Sequence, residues 1–185
     1  MRVDWWYVRA RGWRQTRPDA AKTPDSSSTG PTTNASVRVA AFARAAVVAA
    51  VVVILDQVTK SLVRSNIALG DHDKFLPGVT LVHDRNTGVA FSLFAGGGAL
   101  VLVFTLAALA VLVGYLAIRP DRPLLWLPTG MLVGGAIGNL IDRISSGGVT
   151  DFIKLPHWPA FNVADMSITF GVLVLLWVLE GRRER

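Results

Sequence analysis

The sequence predicts an all-α membrane protein: four transmembrane helices with a small extracytoplasmic loop domain that contains β structure. Three observations carry that reading. Hydrophobic residues make up 51% of the 185 positions and charged residues only 17%, where a soluble domain holds roughly a quarter charged. The apolar residues are gathered into four long runs separated by polar stretches. Each run comes close to the roughly 20 residues that a helix needs to cross a hydrocarbon layer.

The elements follow in order. Residues 1–36 are rich in Arg, Ser, Thr, Pro and Asp and end in SSSTGPTTNAS. With no apolar periodicity, this stretch cannot offset the entropy of ordering, so it reads as a disordered tail. Its start, Trp5-Trp6-Tyr7 with Arg9, Arg11, Arg14 and Arg17, fits a membrane-surface contact or a plain solvated basic tail. A signal peptide is not indicated, because the basic start leads into polar sequence.

The membrane domain is expected over residues 37–181, with a short tail at 182–185. Its first run, about Val39 to Val63, is interrupted by Arg44, Asp56, Gln57 and Lys60; the second, Ala99 to Ile118, carries no charge. The third, Leu124 to Ile141, is uncharged and is followed at once by Asp142-Arg143. It carries Gly130, Gly134 and Gly138 at four-residue spacing, a small-residue stripe that lets another helix approach closely. The fourth, Phe161 to Leu179, holds Asp165 one turn inside its start.

Positive charge orients the bundle, because cytoplasmic segments hold the excess of Lys and Arg. The N-terminal region through Arg44, the Arg119/Arg122 loop and the C-terminus hold thirteen of the 19 positive residues; Lys60, Arg64, Lys74, Arg85, Arg143 and Lys154 fall on the other side. Both termini are therefore expected in the cytoplasm. The outer loops are 65–98, where Gly78-Val79-Thr80-Leu81-Val82 suits a short strand, and 144–160. Gly96-Gly97-Gly98 suits a flexible re-entry to the second helix.

Several function classes drop out. The net charge of +6 is not organised as Lys/Arg interleaved with aromatics on a foldable element, which argues against nucleic acid as partner. Zero cysteines exclude a disulfide framework, a thiolate metal site and a cysteine nucleophile. The three histidines, His72, His83 and His157, lie in unrelated loops and there is no HExxH, so no metal site is expected.

What remains is carboxylate chemistry. Asp56, Asp142, Asp151 and Asp165 fall at the outer ends of three runs or in the last outer loop. Ionisable groups at membrane depth are costly and face a protein interior or a wet cavity. Asp56 and Lys60 stand four apart, which suits a simple ion pair or a part in organising the site. Asp142-Arg143 suits interfacial anchoring or the site itself. Asp151 and Asp165 have no basic residue within two positions. Two carboxylates brought together in a low dielectric share a proton. The ionised member can then activate water while the protonated one polarises a carbonyl, the chemistry of peptide hydrolysis.

In order, these residues resemble the lipoprotein signal peptidases (signal peptidase II), the bacterial membrane aspartic peptidases. The matching stretches are Asp56-Gln57-Val58-Thr59-Lys60, Asn86-Thr87-Gly88-Val89-Ala90-Phe91-Ser92, GGAIGNLIDR ending at Arg143, Val149-Thr150-Asp151-Phe152-Ile153 and Phe161-Asn162-Val163-Ala164-Asp165. The resemblance covers about Ala45 to Leu179. It implies removal of the signal peptide from a diacylglyceryl-modified prolipoprotein, cut just before the lipidated cysteine, at the outer leaflet of the cytoplasmic membrane. It implies Asp151 and Asp165 as the catalytic dyad, and Asn86, Asn139, Arg143 and Asn162 as substrate-binding or pocket residues. Asp56, Lys60 and Asp142 take supporting roles. It further implies no cofactor, inhibition by globomycin-type cyclic peptides and contact with membrane lipids; a monomer is expected because four helices can enclose the site alone. The alternatives are a small proton-coupled transporter, which would place acids along a path near the midplane, and a non-enzymatic assembly factor, which leaves Asp151 and Asp165 without a reason.

Overall fold

The computed structural model describes residues 32–87 and 97–181. Four helices, α1 (Thr32–Asn66), α2 (Gly97–Ile118), α3 (Trp126–Ser146) and α4 (Val163–Glu180), coincide with the four apolar runs. Three strands, β1 (His72–Leu76), β2 (Val79–Asn86) and β3 (Val149–Lys154), form one antiparallel sheet in the order β1-β2-β3.

On α1 the buried residues Ala41, Ala45, Ala49, Asp56, Lys60 and Val63 recur at three- and four-residue steps or their sum, which puts them on one helical stripe. The first half of that stripe is small because α3 presses on it. A β-carbon added at Gly130 would lie 2.5 Å from the Ala45 carbonyl oxygen, and one at Gly134 would lie 2.8 Å from that of Ala49. On its other side, a β-carbon at Gly135 would meet the Ala164 carbonyl of α4 at 2.6 Å. The glycine stripe is thus a seam holding α1 and α4 against α3. It ends at Gly138, directly under the Asp56 carboxylate.

The outward faces are uncovered and apolar: Val47, Val51, Ile54, Val58 and Leu62 on α1, Val103 and Val111 on α2, Phe170, Leu173 and Trp177 on α4. A belt of that extent marks a membrane or a partner. Helices α1 and α4 are each long and apolar enough to cross a bilayer.

The expected strand at Gly78–Val82 is found in β2, which turns back from β1 through Gly78 at φ 80°. The last outer loop, read from the sequence as a loop, contributes β3, with Asp84 opposite Asp151 and Asn86 opposite Val149. Its Val149 and Phe152 are buried, and Phe152 packs with Val63 of α1 and with Ile67 just beyond it. Helix α3 runs past Asp142 and Arg143 and stops at Gly147, whose φ of 73° and N–H to the Arg143 carbonyl close the last turn. The C-terminal end of the third helix therefore lies beyond its acid. Helix α1 starts at Thr32, within the stretch read as a tail, since a helix once nucleated extends through polar residues one bond at a time. Gly97 and Gly98 belong to α2 rather than to a flexible re-entry. Trp5-Trp6-Tyr7, Gly88 to Gly96 and Arg182 to Arg185 lie outside the described residues.

One consequence is testable at the end of the seam. A β-carbon at Gly138 would stand 2.6 Å from Asp56 Oδ2 and 3.4 Å from Ala164 Cβ. Gly138→Ala is expected to lower stability by ~1–3 kcal/mol through overpacking, read as a drop in thermal midpoint in detergent. An unchanged midpoint would mean that α1 and α3 separate freely at this level.

Candidate active site

The acids grouped by the sequence form two linked sets. In the first, Lys60, fully buried on α1, spends its three donors on Asp56 Oδ2 at 2.8 Å, Asp142 Oδ2 at 3.2 Å and Asn139 Oδ1 at 3.0 Å. Asp56 and Lys60 form the ion pair, and the same cation also contacts Asp142 and Asn139. Gln57 joins the two acids, donating to Asp56 Oδ2 at 3.1 Å, to Asp142 Oδ1 at 3.2 Å and to the Gly138 carbonyl at 3.1 Å.

Each of these acids also grips a backbone. Asp56 Oδ1 accepts the Ala164 N–H at 2.9 Å, and Asp142 Oδ2 accepts the Thr150 N–H at 2.9 Å. Ala164 immediately precedes Asp165, and Thr150 immediately precedes Asp151. One buried cation, through two carboxylates, therefore locates the chain beside both members of the second set. Arg64 adds to the clamp, donating to Thr150 Oγ1 at 3.1 Å with Asp142 Oδ1 at 3.6 Å.

The second set is Asp151 and Asp165. Asn162, fully buried, caps α4 with a capping box: its side-chain oxygen accepts the Asp165 N–H at 2.9 Å, and Asp165 Oδ2 accepts the Asn162 N–H at 3.3 Å. Its amide nitrogen donates to Asp151 Oδ1 at 2.7 Å and to Asn139 Oδ1 at 3.2 Å. Asn139 takes that bond and the Lys60 bond on its oxygen, which turns its amide nitrogen toward Asp165 Oδ1 at 2.8 Å. Asn86 reaches from β2 to Asp151 Oδ2 at 3.1 Å. Arg143 donates to the Asn139 carbonyl at 3.2 Å and otherwise lies exposed.

Asp151 is 3% exposed. Burial pushes its carboxyl up to about 6, and the nearby Asp165 charge adds to the rise; hydrogen bonds from Asn86 and Asn162 and the Lys60 charge oppose it. The penalty falls on the ionised form. Protonation therefore favours the fold, a contribution fully present below the ordinary value of 3.8 and lost as pH rises through about 6.

Each of the two acids borders a cavity. Asp151 opens on a polar one of about 350 Å³ with Asp84, Arg85, Asn86, Thr87 and Lys154. Asp165 borders an apolar one of about 420 Å³ with Trp158, Phe161, Met166, Thr169 and Phe170, and Pro159 and Ala160 line both. Among the described residues no cluster of His, Cys, Asp and Glu is arranged to hold a metal ion.

Eight of the nine residues singled out in the sequence meet in this network through their side chains, and Arg143 touches it only at the Asn139 carbonyl. Arg64 was missed, and Gln57 and Thr150 entered only as parts of motifs. Arg64 carried a signal, since it follows Lys60 by four residues and so stands one turn further along the same helix. Thr150 carried none of its own, because its side chain and N–H acquire meaning only when β3 docks.

The sequence pattern of a family described as signal peptidase (SPase) II matches residues 48–180. The chain is 41% identical over 136 residues to the lipoprotein signal peptidase of Moorella thermoacetica, covering 71% of this chain and 89% of that protein. It is 41% identical over 146 residues to that of Symbiobacterium thermophilum, covering 74% and 95%. A solved bacterial membrane enzyme, determined by the in meso method, superposes with a TM-score of 0.67 at 32% identity, covering 75% of this chain and 93% of that one. Apolar helices around a buried polar centre and this similarity define the class, a membrane peptidase of the aspartic type. The chain belongs to the signal peptidase II family.

Proposed function

We propose that the protein removes signal peptides from diacylglyceryl-modified prolipoproteins, with Asp151 and Asp165 as the catalytic dyad. The observation that supports this most directly is Asn162, whose side-chain amide donates to the Asp151 carboxylate and whose backbone N–H donates to the Asp165 carboxylate, so that one residue links the two acids. The raised carboxyl of Asp151 suits it to keep the shared proton and hydrogen-bond the scissile carbonyl oxygen. Asp165, oriented by Asn139, then takes a proton from water as the water oxygen bonds to the carbonyl carbon. The C–N bond breaks as the leaving nitrogen accepts that proton, and the lipidated cysteine becomes the new N-terminus.

The two cavities suit such a substrate. The apolar one beside Asp165 fits lipid or apolar side chains, and the polar one beside Asp151, with Asn86 in its wall, fits peptide backbone. All four helices cross the bilayer in this reading, with both termini cytoplasmic and the sheet on the outer surface, where a lipid-anchored scissile bond lies. The protein acts as a monomer without a cofactor, and a globomycin-type cyclic peptide blocks it by occupying the dyad.

The test uses purified protein in bilayers with a diacylglyceryl-modified prolipoprotein and a mass readout. The expected product begins at the modified cysteine, and its formation stops with globomycin. Failure of folded protein to cleave, or cleavage elsewhere, would overturn the reading. The pH profile tests the proton assignment. Loss of the Asp151 proton makes kcat/KM fall as pH rises through about 6. Asn86→Ala removes a bond that favours ionised Asp151, so that limb is expected at higher pH in the variant. A shift downward would reverse the roles of the two acids.

A further inference from the structure

The end of the bundle away from the dyad carries a second arrangement of charge. Along α1, Arg44 lies ~18 Å from Asp56, and along α3, Trp126 lies ~20 Å from Asn139, at 1.5 Å per residue. The Arg44 guanidinium stands over the Trp126 ring at 6.0 Å from its centroid, and the Arg122 guanidinium over the Tyr115 ring at 5.6 Å. Arg122 also donates to the Tyr115 hydroxyl. Tyr115 and Trp126 pack against the same buried cluster of Ala41, Ala45, Leu112, Leu116 and Leu125. The two cations are therefore held on one rigid base joining α1, α2 and α3.

Arg44 is exposed on the apolar outward surface of α1, with exposed Val39, Phe42 and Val47 nearby in sequence. A cation facing hydrocarbon is costly and reaches for the interface. Among the described residues neither Arg44 nor Arg122 has a carboxylate within ion-pair distance, although Asp121 and Glu180 lie at this end. The other cations here, Arg38 and Arg119, are exposed. Two stacked guanidiniums with their donors unspent on acids match phosphate oxygens, which planar forks bind well.

We infer that Arg44 and Arg122 form a binding site for the phosphate of an anionic phospholipid, in the leaflet opposite the dyad. The inference rests on the bilayer-spanning reading given above. The lipid's acyl chains lie along the exposed face of α1, and its phosphate bridges the α1 and α2–α3 margins beside Trp126. Such a lipid ties the helix seam together at the end where, among the described residues, no ion pair does so.

The test is native mass spectrometry of the full chain released from detergent with phosphatidylglycerol or phosphatidylcholine of matched acyl chains. The wild type is expected to retain phosphatidylglycerol about tenfold over phosphatidylcholine, whose choline cation neutralises the same phosphate and is repelled by the two guanidiniums. Arg44→Gln/Arg122→Gln is expected to bring that ratio close to one. Arg44→Lys/Arg122→Lys, which keeps the charge but loses the stacked planar fork, should fall between them and serves if the first variant folds poorly. Arginines outside the described residues are common to all three proteins, so the differences isolate this pair. No preference in the wild type, or an undiminished one in both variants, would overturn the inference. Displacement of the lipid by millimolar inorganic phosphate would reassign the site to free phosphate. Prolipoprotein cleavage measured on the same proteins keeps the two readings apart. Cleavage without lipid preference sinks this inference alone, and lipid preference without cleavage sinks the peptidase reading alone.

Discussion

Asp165→Asn is expected to cut cleavage of the diacylglyceryl-modified prolipoprotein by roughly a thousandfold or more, the range for loss of a general base, while the protein stays folded. The amide keeps the size of the carboxyl, and its oxygen can still accept the Asn162 N–H that closes the capping box. What it loses is the capacity to take a proton from water. Asp151→Asn is expected to fail as completely for a different reason. Its amide still donates a hydrogen bond to the carbonyl, but it can no longer exchange the shared proton or receive both the Asn86 and Asn162 donors on oxygen. The measurement is single-turnover cleavage by mass, with thermal unfolding of each variant beside it. Turnover near that of the wild type in either folded variant would remove that residue from the dyad.

Lys60→Met is expected to be the most damaging change away from the dyad, costing ~3–5 kcal/mol of stability. Methionine fills the space but leaves Asp56 and Asp142, both buried, without their shared cation. Arg64 offers only partial compensation, 3.6 Å from Asp142 on the solvent side. The cost belongs to uncompensated charge rather than to lost attraction, so neutralising the acids should recover it. Lys60→Met combined with Asp56→Asn and Asp142→Asn is expected to regain most of the lost stability, because asparagine oxygens can still accept the Ala164 and Thr150 N–H groups. Denaturant or thermal unfolding of the two proteins in one detergent makes the comparison. A single variant as stable as the wild type would mean that the cation is not what holds the acids.

Both expectations turn on a division that the sequence could not make. Counting acids at the outer helix ends suggested one group of four, whereas the folded chain uses two as anchors and links the other two through the side chain and backbone of Asn162. Sequence separation explains why. The bond from Asp56 spans 108 residues to the Ala164 N–H, and the Asn86–Asp151 bond spans 65. Asp151 itself was placed in a loop, because V-T-D-F-I-K is short, and its strand character comes from pairing with β2 and burial of Phe152 against α1.

The sequence by itself determined where the helices run, that a glycine seam joins them and which side chains are too costly to leave facing lipid. Those are local, additive properties: runs of apolar residues give helix and burial, and small residues at a four-residue step give close approach. Only the tertiary structure decided which polar group serves which. Lys60 could have neutralised either acid but reaches both, Asn139 is turned by Lys60 so that its amide faces Asp165, and Asn162 is at once a helix cap and the bridge to Asp151. A buried polar group must find partners wherever the fold brings them, and here the partners come from α1, α3, β3 and the cap of α4, which meet only after the seam has closed.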